Sequence, residues 1–464
     1  MGGGFIQLAA YGAQDLYLTG NPQISYFIMV YKRYTNFAIE NCRQYFTGEA
    51  NFGKKVYCQI ERIGDLMSET FLVINLPSLE PLFTDDTEYY WQNSIGHMII
   101  EEINVEIGGK IIDRHYSEWL QIWTELTLGA GKFNAYRRMV GNTSDNIFFN
   151  YIGEYRLYIP LYFWFCRDIG LALPLIALQT HEVRINLNLR DLRQLILKKK
   201  KNLPNTFNLF YLDNNQLQNI NIESTYLYVD YIFLEDKQRR IFSKKNHQYL
   251  IEQLQLNNFT LYSGGERNNP LSSDNSVLNQ CEINDTSLDC AERIVEHKID
   301  LNFNHPIIEF LWVFQNKNNL EQNVEDNYQG NEILNFSIPK KCNNNTETKI
   351  EDELYNINNH PLQSAVLYIE GKERFEERNA KYFNLIQIYQ RHTNNPINYI
   401  YNYSFSLDPE NVRPSGTCNY SRIDNSHFIM KINNKLINPR LLLFARNYNI
   451  LEIKGGMAGL SYAN

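Results

Sequence analysis

From position 37 onward, apolar and polar residues alternate in short runs. Residues 37–46, 55–62, 68–76, 99–107 and 110–114 alternate or run β-branched and aromatic, a pattern that predicts strands. Gly108-Gly109, between the last two, supplies a tight hairpin turn. Residues 158–166, 175–188 and 226–234 complete this first set. One helical stripe interrupts it: Trp119, Ile122, Trp123 and Leu126, with Ser117 placed to cap. Upstream, residues 1–21 have no period and read as an extended arm. Asn21-Pro22 then reads as the cap and first residue of a short helix carrying Ile24, Phe27, Tyr31 and Tyr34 on one face.

The pattern weakens over 191–221, where the charge run Lys198–Lys201 and a dense set of asparagines predict loop with no buried face. Residues 236–244 read as a linker helix, and a second strand-rich region starts near His247. Its clearest strands are 294–303 and 307–315, on either side of an Asn304-His305-Pro306 turn, and 365–369, closed by Glu370-Gly371-Lys372. Residues 316–360 are rich in Asn and Glu and read as exposed loop; 445–462 should hold a last strand and a glycine-rich tail. Short strands with helices confined to connections predict antiparallel sandwiches, not a parallel α/β sheet. In the stretch 401–424, Tyr401, Tyr403, Phe405 and Leu407 alternate with Asn402, Ser404 and Ser406, which predicts a half-buried strand. Asp408-Pro409 should stop it. Pro414-Ser415-Gly416 suits a type I turn, and a second polar strand should leave from Cys418. Trp312 and Phe405 are expected in the core.

The same stretch resembles the C-terminal signature of the major capsid proteins of nucleocytoplasmic large DNA viruses, the family of phycodnaviruses, iridoviruses, mimiviruses and marseilleviruses. The matching residues are Tyr403-Ser404-Phe405, Pro409-Glu410, Pro414-Ser415-Gly416, Asn419 and Ser421-Arg422-Ile423-Asp424, with Arg413 where the family usually has glutamine. Residues 10–27, 107–127, 156–185, 249–255, 303–315, 373–384 and 445–451 also look like that family. Tyr162, in place of a usual proline, and Asp168-Ile169-Gly170, in place of Asn-Pro-Gly, are departures that should alter turns only.

The resemblance implies an all-β chain of two consecutive eight-stranded antiparallel jelly-roll sandwiches, a double jelly roll with short helices in loops. Its expected divisions are an N-terminal arm and helix (1–36), a first jelly roll (37–235), a linker helix (236–246) and a second jelly roll with tail (247–464). It implies a structural subunit of the virion, made and assembled in the host cytoplasm. That subunit would trimerise into pseudo-hexagonal capsomers and meet neighbouring capsomers, minor capsid proteins and, through the arm, an internal viral membrane. A carbohydrate-binding or carbohydrate-hydrolysing jelly roll and a minor or vertex capsid protein are the alternatives.

A chain of 464 residues with 44% hydrophobic content can bury more than one core. Its 32 tyrosines and 26 phenylalanines favour strands. A formal charge of −8 argues against coating nucleic acid, and no sequence-specific nucleic-acid binding is expected. Seven cysteines without a CxxC pair read as reduced thiols, and no apolar run is long enough for a membrane span. No signal peptide is visible, and Ile6 breaks the myristoylation pattern at Gly2.

No catalytic, cofactor-binding or metal residues are assigned. Cys281 and Cys290 lack zinc spacing, and His115 with Glu118, or His181-Glu182, do not form HExxH. Asp113, His115 and Glu118 read as water-facing charges on a strand-to-helix turn. Gly455, Gly456 and Gly459 fit no phosphate loop and read as a flexible tail. Of the N-x-[ST] sites at Asn142, Asn258, Asn284, Asn335, Asn344, Asn402 and Asn419, the last two fall in or beside strands and are discounted.

Overall fold

The computed structural model describes residues 35–79, 82, 87–142, 155–200, 207–208, 220–261, 294–316, 328–329, 334, 336, 340–341, 360–396, 398–433 and 439–462. The N-terminal helix expected after Asn21, both Cys281 and Cys290, and glycosylation candidates Asn284, Asn335 and Asn344 lie outside them.

Two sheets face each other in the first domain. One has the order β1 (Phe37–Tyr45), β11 (Ser224–Leu234), β3 (Leu66–Leu76), β7 (Tyr155–Pro160). The other has the order β2 (Lys55–Gln59), β8 (Val183–Leu189), β5 (Ile100–Ile107), β6 (Lys110–Tyr116). Every pairing is antiparallel. Leu72 and Ile74 from one sheet meet Ile103, Val105, Ile185 and Leu187 from the other in a common core. A small side sheet joins β4 (Thr87–Trp91), β9 (Ile196–Lys200) and β10 (Phe207–Asn208).

The second domain repeats the plan. Its first sheet runs β12 (His247–Thr260), β23 (Pro439–Lys454), β14 (Pro306–Asn316), β20 (Tyr401–Ser404). Two short strands extend it: β21 (Cys418–Asn419) pairs β14, and β24 (Met457–Leu460) pairs β23. The facing sheet runs β13 (Ile294–Asp300), β22 (Ser426–Asn433), β17 (Leu362–Ile369), β18 (Lys372–Glu373), with β19 (Arg378–Asn379) also on β17. A hairpin of β15 (Tyr328–Gln329) and β16 (Lys340–Lys341) lies in the long insertion. Taken in chain order, β12, β23, β14 and β20 occupy the places of β1, β11, β3 and β7, and β13, β22, β17 and β18 those of β2, β8, β5 and β6. Both are jelly-roll sandwiches. The paired sheets hold eight strands in the first domain; in the second, the three short additions raise the described total to eleven.

Over 310–314 and 441–444 the sheet β12-β23-β14-β20 is apolar on both faces. Phe310, Trp312, Phe314, Leu441 and Leu443 point into the core of the second domain. Their neighbours Leu311, Val313, Leu442 and Phe444 point the other way and join the core of the first. This is why 310–314 and 441–445 read as unbroken hydrophobic runs, the mark of strands covered on both sides. The domains therefore share a buried sheet.

Several expectations need correction. Residues 158–166 are not one strand: β7 ends at Pro160 and Trp164–Arg167 forms a helical turn. Residues 175–182 likewise lie outside β8, with a 3-10 turn at Leu175–Ala177. Ser117 is the first helical residue of Ser117–Thr127, not its cap; its hydroxyl donates to Glu118 instead. The stretch 191–221 does have a buried face, because Leu192, Leu195, Ile196 and Ile220 are all buried, and Lys198–Lys200 lie in β9. Within 316–360, Leu334 and Phe336 are buried in the core. Gly455 and Gly456, with φ of 59° and 82°, are no flexible tail: they turn β23 into β24, as Gly108 and Gly109 turn β5 into β6 at the same angles.

The helix at 382–391 is absent from the periodicity reading. It opens with a π-helical turn, Tyr382–Ile386, and continues as Gln387–Arg391. The extra residue of a π turn moves the apolar stripe off the 3.6 period, so Phe383 and Ile388 are buried five apart.

Candidate functional site: the seam between the domains

Strand β20 is not half-buried. Tyr401 and Tyr403 face the second core, and the polar side of the strand is buried too, with Asn402 fully so. What covers it is charge. Asn402 Nδ2 donates to Glu309 Oε2 at 2.7 Å, and Glu309 is itself fully buried on β14. Arg446 on β23 donates to Glu309 Oε1 at 2.5 Å and also to Glu252 on β12. Arg167 of the first domain donates to Glu252 from the other side, and to the Glu410 carbonyl at 2.8 Å. The imidazole of His392 bridges Glu309, at 3.0 Å from Nε2, and Glu410, at 3.1 Å from Nδ1.

Both His392 nitrogens face carboxylates, so both must donate, and the ring is an imidazolium. Burial alone would lower its pKa; Glu309 and Glu410 outweigh that and push it up to about 9. Burial alone would raise the Glu309 carboxyl, yet His392 and Arg446 hold it at about 2. Glu410 is held below the usual carboxylate range against its own burial by His392 and Thr393. Three carboxylates thus meet three cations, and the seam carries no unpaired charge, the condition under which buried ions are tolerated. The Trp123 ring lies under both guanidinium groups, 4.2 Å from Arg446 and 4.8 Å from Arg167.

This arrangement explains the 401–424 stretch. The Pro409 carbonyl accepts from Arg446 at 3.0 Å, and the Glu410 carboxylate takes the Thr393 backbone N–H at 2.8 Å and its hydroxyl at 2.5 Å. The corner is therefore anchored to three strands of the shared sheet and to the first domain. The expected hydrogen-bonded turn at Pro414-Ser415-Gly416 does not form. That segment runs back along 405–408 instead: Ser415 Oγ accepts from the Asp408 N–H, and the Ser415 carbonyl from the Leu407 N–H. Gly416, at φ 140°, lies so close that a Cβ there would stand 2.6 Å from the Phe405 carbonyl oxygen. Phe405 itself is only half-buried at the margin of the core, whereas Trp312 is fully enclosed. The second polar strand does leave at Cys418.

Asp113, His115 and Glu118 do not face water. All three are buried because the second domain covers the strand-to-helix turn that carries them. His115 pairs with Asp113 at 3.1 Å and stacks on Phe163 at 4.5 Å. Asp113 accepts from the Leu254 N–H at 3.0 Å, and Glu118 from Gln315 at 3.4 Å. The cavity beside them measures about 20 Å³. It holds roughly one water molecule and no substrate.

His181 Nδ1 accepts from the Ala458 N–H and so fixes the C-terminal hairpin, while Glu182 pairs with Arg184. Among the described residues, no group of His, Cys, Asp or Glu is arranged to hold a metal. Asn402 is buried; Asn258 and Asn419 are exposed, the first accepting from Arg440 and the second from the Ser421 N–H. Asn142 is half-buried and donates to Ser94.

Glu252, Glu309, His392 and Arg446 are the residues that sequence reasoning missed. Their one visible signal was a charge inside an otherwise apolar run, Glu309 in 307–314 and Arg446 in 441–446.

A major capsid protein N-terminus family matches residues 25–235, and a large eukaryotic DNA virus major capsid protein family matches residues 238–459. The major capsid protein of Pyramimonas orientalis virus is 36% identical and that of Phaeocystis pouchetii virus 34%, each over the full length of both chains. Among solved structures, the PBCV-1 virus capsid superposes with a TM-score of 0.70 at 30% identity, covering 95% of this chain and all of that one. These are structural proteins, and the seam, whose buried ionised groups are paired, joins the two domains of one chain. The chain belongs to the major capsid protein family of large eukaryotic DNA viruses.

Proposed function

We propose that the chain works as a homotrimer whose six sandwiches form one pseudo-hexagonal tile of an icosahedral shell. The observation that carries this reading is the repeated strand order of the two domains, locked together by a sheet buried on both faces. Two near-equivalent bodies held rigidly in one chain are what a three-copy ring needs to approximate sixfold symmetry, and a heterologous ring contact closes without forming a fibre. In this reading residues 37–235 and 247–464 are the two bodies, joined by 236–246. The arm at 1–36 faces the particle interior, where it meets minor capsid proteins or the internal membrane, and assembly takes place in the host cytoplasm. No direct sequence-specific contact with nucleic acid is included.

An obligate ring should bury more than roughly 2,000 Å² at its interfaces. Light scattering on the purified chain should give three times 54.7 kDa, about 164 kDa, and the mass should persist on dilution. A monodisperse 54.7 kDa particle at micromolar concentration would refute the trimer.

A further inference from the structure

The chain has a formal charge of −8, yet residues 235–246 hold five cations against two carboxylates. Nine of these residues form the helix Asp236–Lys244 between the two domains. Two side chains fix which way it faces. Phe242 packs against Leu66, Ala172 and Ile232 of the first domain, and Arg239 donates to Asp65 at 2.8 Å. They lie three residues apart and so share one face. At about 3.6 residues per turn, Lys237, Arg240, Ile241 and Lys244 lie along the opposite face. All four are exposed, Ile241 by 46%.

The outward cations are not neutralised locally. Of the five, only Arg239 is in an ion pair among the described residues, with Asp65 and, at 4.0 Å, with Asp236. The carboxylates Glu235 and Asp236 stand at the N-terminal end, where they complement the helix dipole and leave the rest of the stripe cationic. The stripe also continues past the helix. His247 pairs with Ile453, so the turn from β23 to β24 adjoins the C-terminal end of the helix. Across that turn Lys454 is paired with Met457; the lysine is exposed, and the methionine is 53% exposed.

Cations alone would suit any polyanion. A sugar–phosphate backbone, however, offers nothing to Ile241 or Met457, and the stripe has no aromatic ring on which a base could stack. A bilayer surface uses both kinds of group: its phosphates attract Lys and Arg, and apolar side chains set among them reach the acyl boundary. We infer that this face docks on a bilayer surface carrying anionic phospholipid. The helix lies flat among the headgroups, with Lys237, Arg240, Lys244 and Lys454 on phosphates and Ile241 and Met457 dipping towards the acyl chains. The inference goes beyond the ring reading and does not depend on it, and it involves the linker and the C-terminal hairpin, not the N-terminal arm.

Flotation of the purified full chain with vesicles is the test. The chain should float with mixed phosphatidylcholine–phosphatidylserine vesicles, stay behind with pure phosphatidylcholine, and detach as salt rises. Each cation near such a surface contributes about a fivefold gain in partitioning. The triple change Lys237→Gln, Arg240→Gln, Lys244→Gln should therefore weaken binding by about a hundredfold. Ile241→Ser should weaken it further or alone, and duplex DNA at the same salt should bind less well than the mixed vesicles. The five natural tryptophans are all buried, so Ile241→Trp adds an exposed probe, whose emission brominated acyl chains should quench.

A wild-type chain that ignores the mixed vesicles overturns the inference. So does a triple variant that binds like wild type, since the contact then lies elsewhere in the chain. Stronger binding to DNA, or indifference to Ile241→Ser, makes the face a general polyanion surface and overturns it too. These side chains are exposed, so circular dichroism should match wild type; if the triple variant misfolds, the tryptophan at 241 decides, and absence of quenching overturns the inference. A monomer that floats refutes the ring reading alone, and a trimer that does not float refutes this inference alone.

Discussion

Replacing Arg446 by methionine keeps most of the side-chain volume over Trp123 and removes the charge. The guanidinium is 3% exposed and binds Glu309, Glu252 and the Pro409 carbonyl. Without it, three carboxylates face two cations, and Glu309, fully buried, keeps only His392 and Asn402. Stripping one partner from a buried ion cluster costs about 3–5 kcal/mol, because the charge left behind is neither hydrated nor paired. At an unfolding entropy of about 2.1 cal/mol/K per residue, a chain of 464 residues loses about 3–5 °C in melting temperature for that cost.

Scanning calorimetry at neutral pH reads the shift directly. Adding Glu309→Gln to Arg446→Met removes the orphaned charge, so the double variant should be less destabilised than the two single shifts together, by about 0.5–3 kcal/mol of coupling. An Arg446→Met chain melting within a degree of wild type, or shifts that simply add, would refute the idea that the seam is held by mutually dependent charges.

Alkaline destabilisation should belong to His392. Its pKa is raised from 6.5 to about 9, so its contribution is complete below pH 6.5 and disappears as pH rises through 9; a melting profile over that window should flatten in His392→Gln. Glu309 has the opposite sign: its contribution is present above about pH 4.5 and disappears as pH falls through about 2, so acid melting should not reproduce the alkaline limb. Trp312→Ala, in the enclosed core, should cost about 3–5 kcal/mol. Phe405→Ala, at the core margin, should cost roughly half as much, since the loss scales with what was buried; equal shifts in calorimetry would place Phe405 deeper than its exposure indicates.

Some features were legible residue by residue because they are local. Gly108-Gly109 signals its hairpin since only a residue without Cβ enters the left-handed region easily, and the helix at 236–244 lies where expected. The alternation in β1 and β8 marks each strand, and the irregular 401–424 signature marks the family. The candidate site was not legible. Its charges come from β12, β14, β23, the 382–391 region and the first domain, and no spacing rule joins Arg167 to Glu252 to Glu309 to His392.

The sequence by itself determined that the chain is built of short antiparallel strands, because the two-residue period depends only on neighbours in the chain. Only the tertiary structure decided what lies against each face. An apolar run such as 310–314 says that both faces are buried, not that one of them meets another domain. Asn402 and Ser404 look like a solvent side until Glu309 and the neighbouring helix close over them. Asp113, His115 and Glu118 look like exposed charges until the second domain covers them. Burial and ion pairing are set by distances through space, and those exist only once both sandwiches have formed and docked.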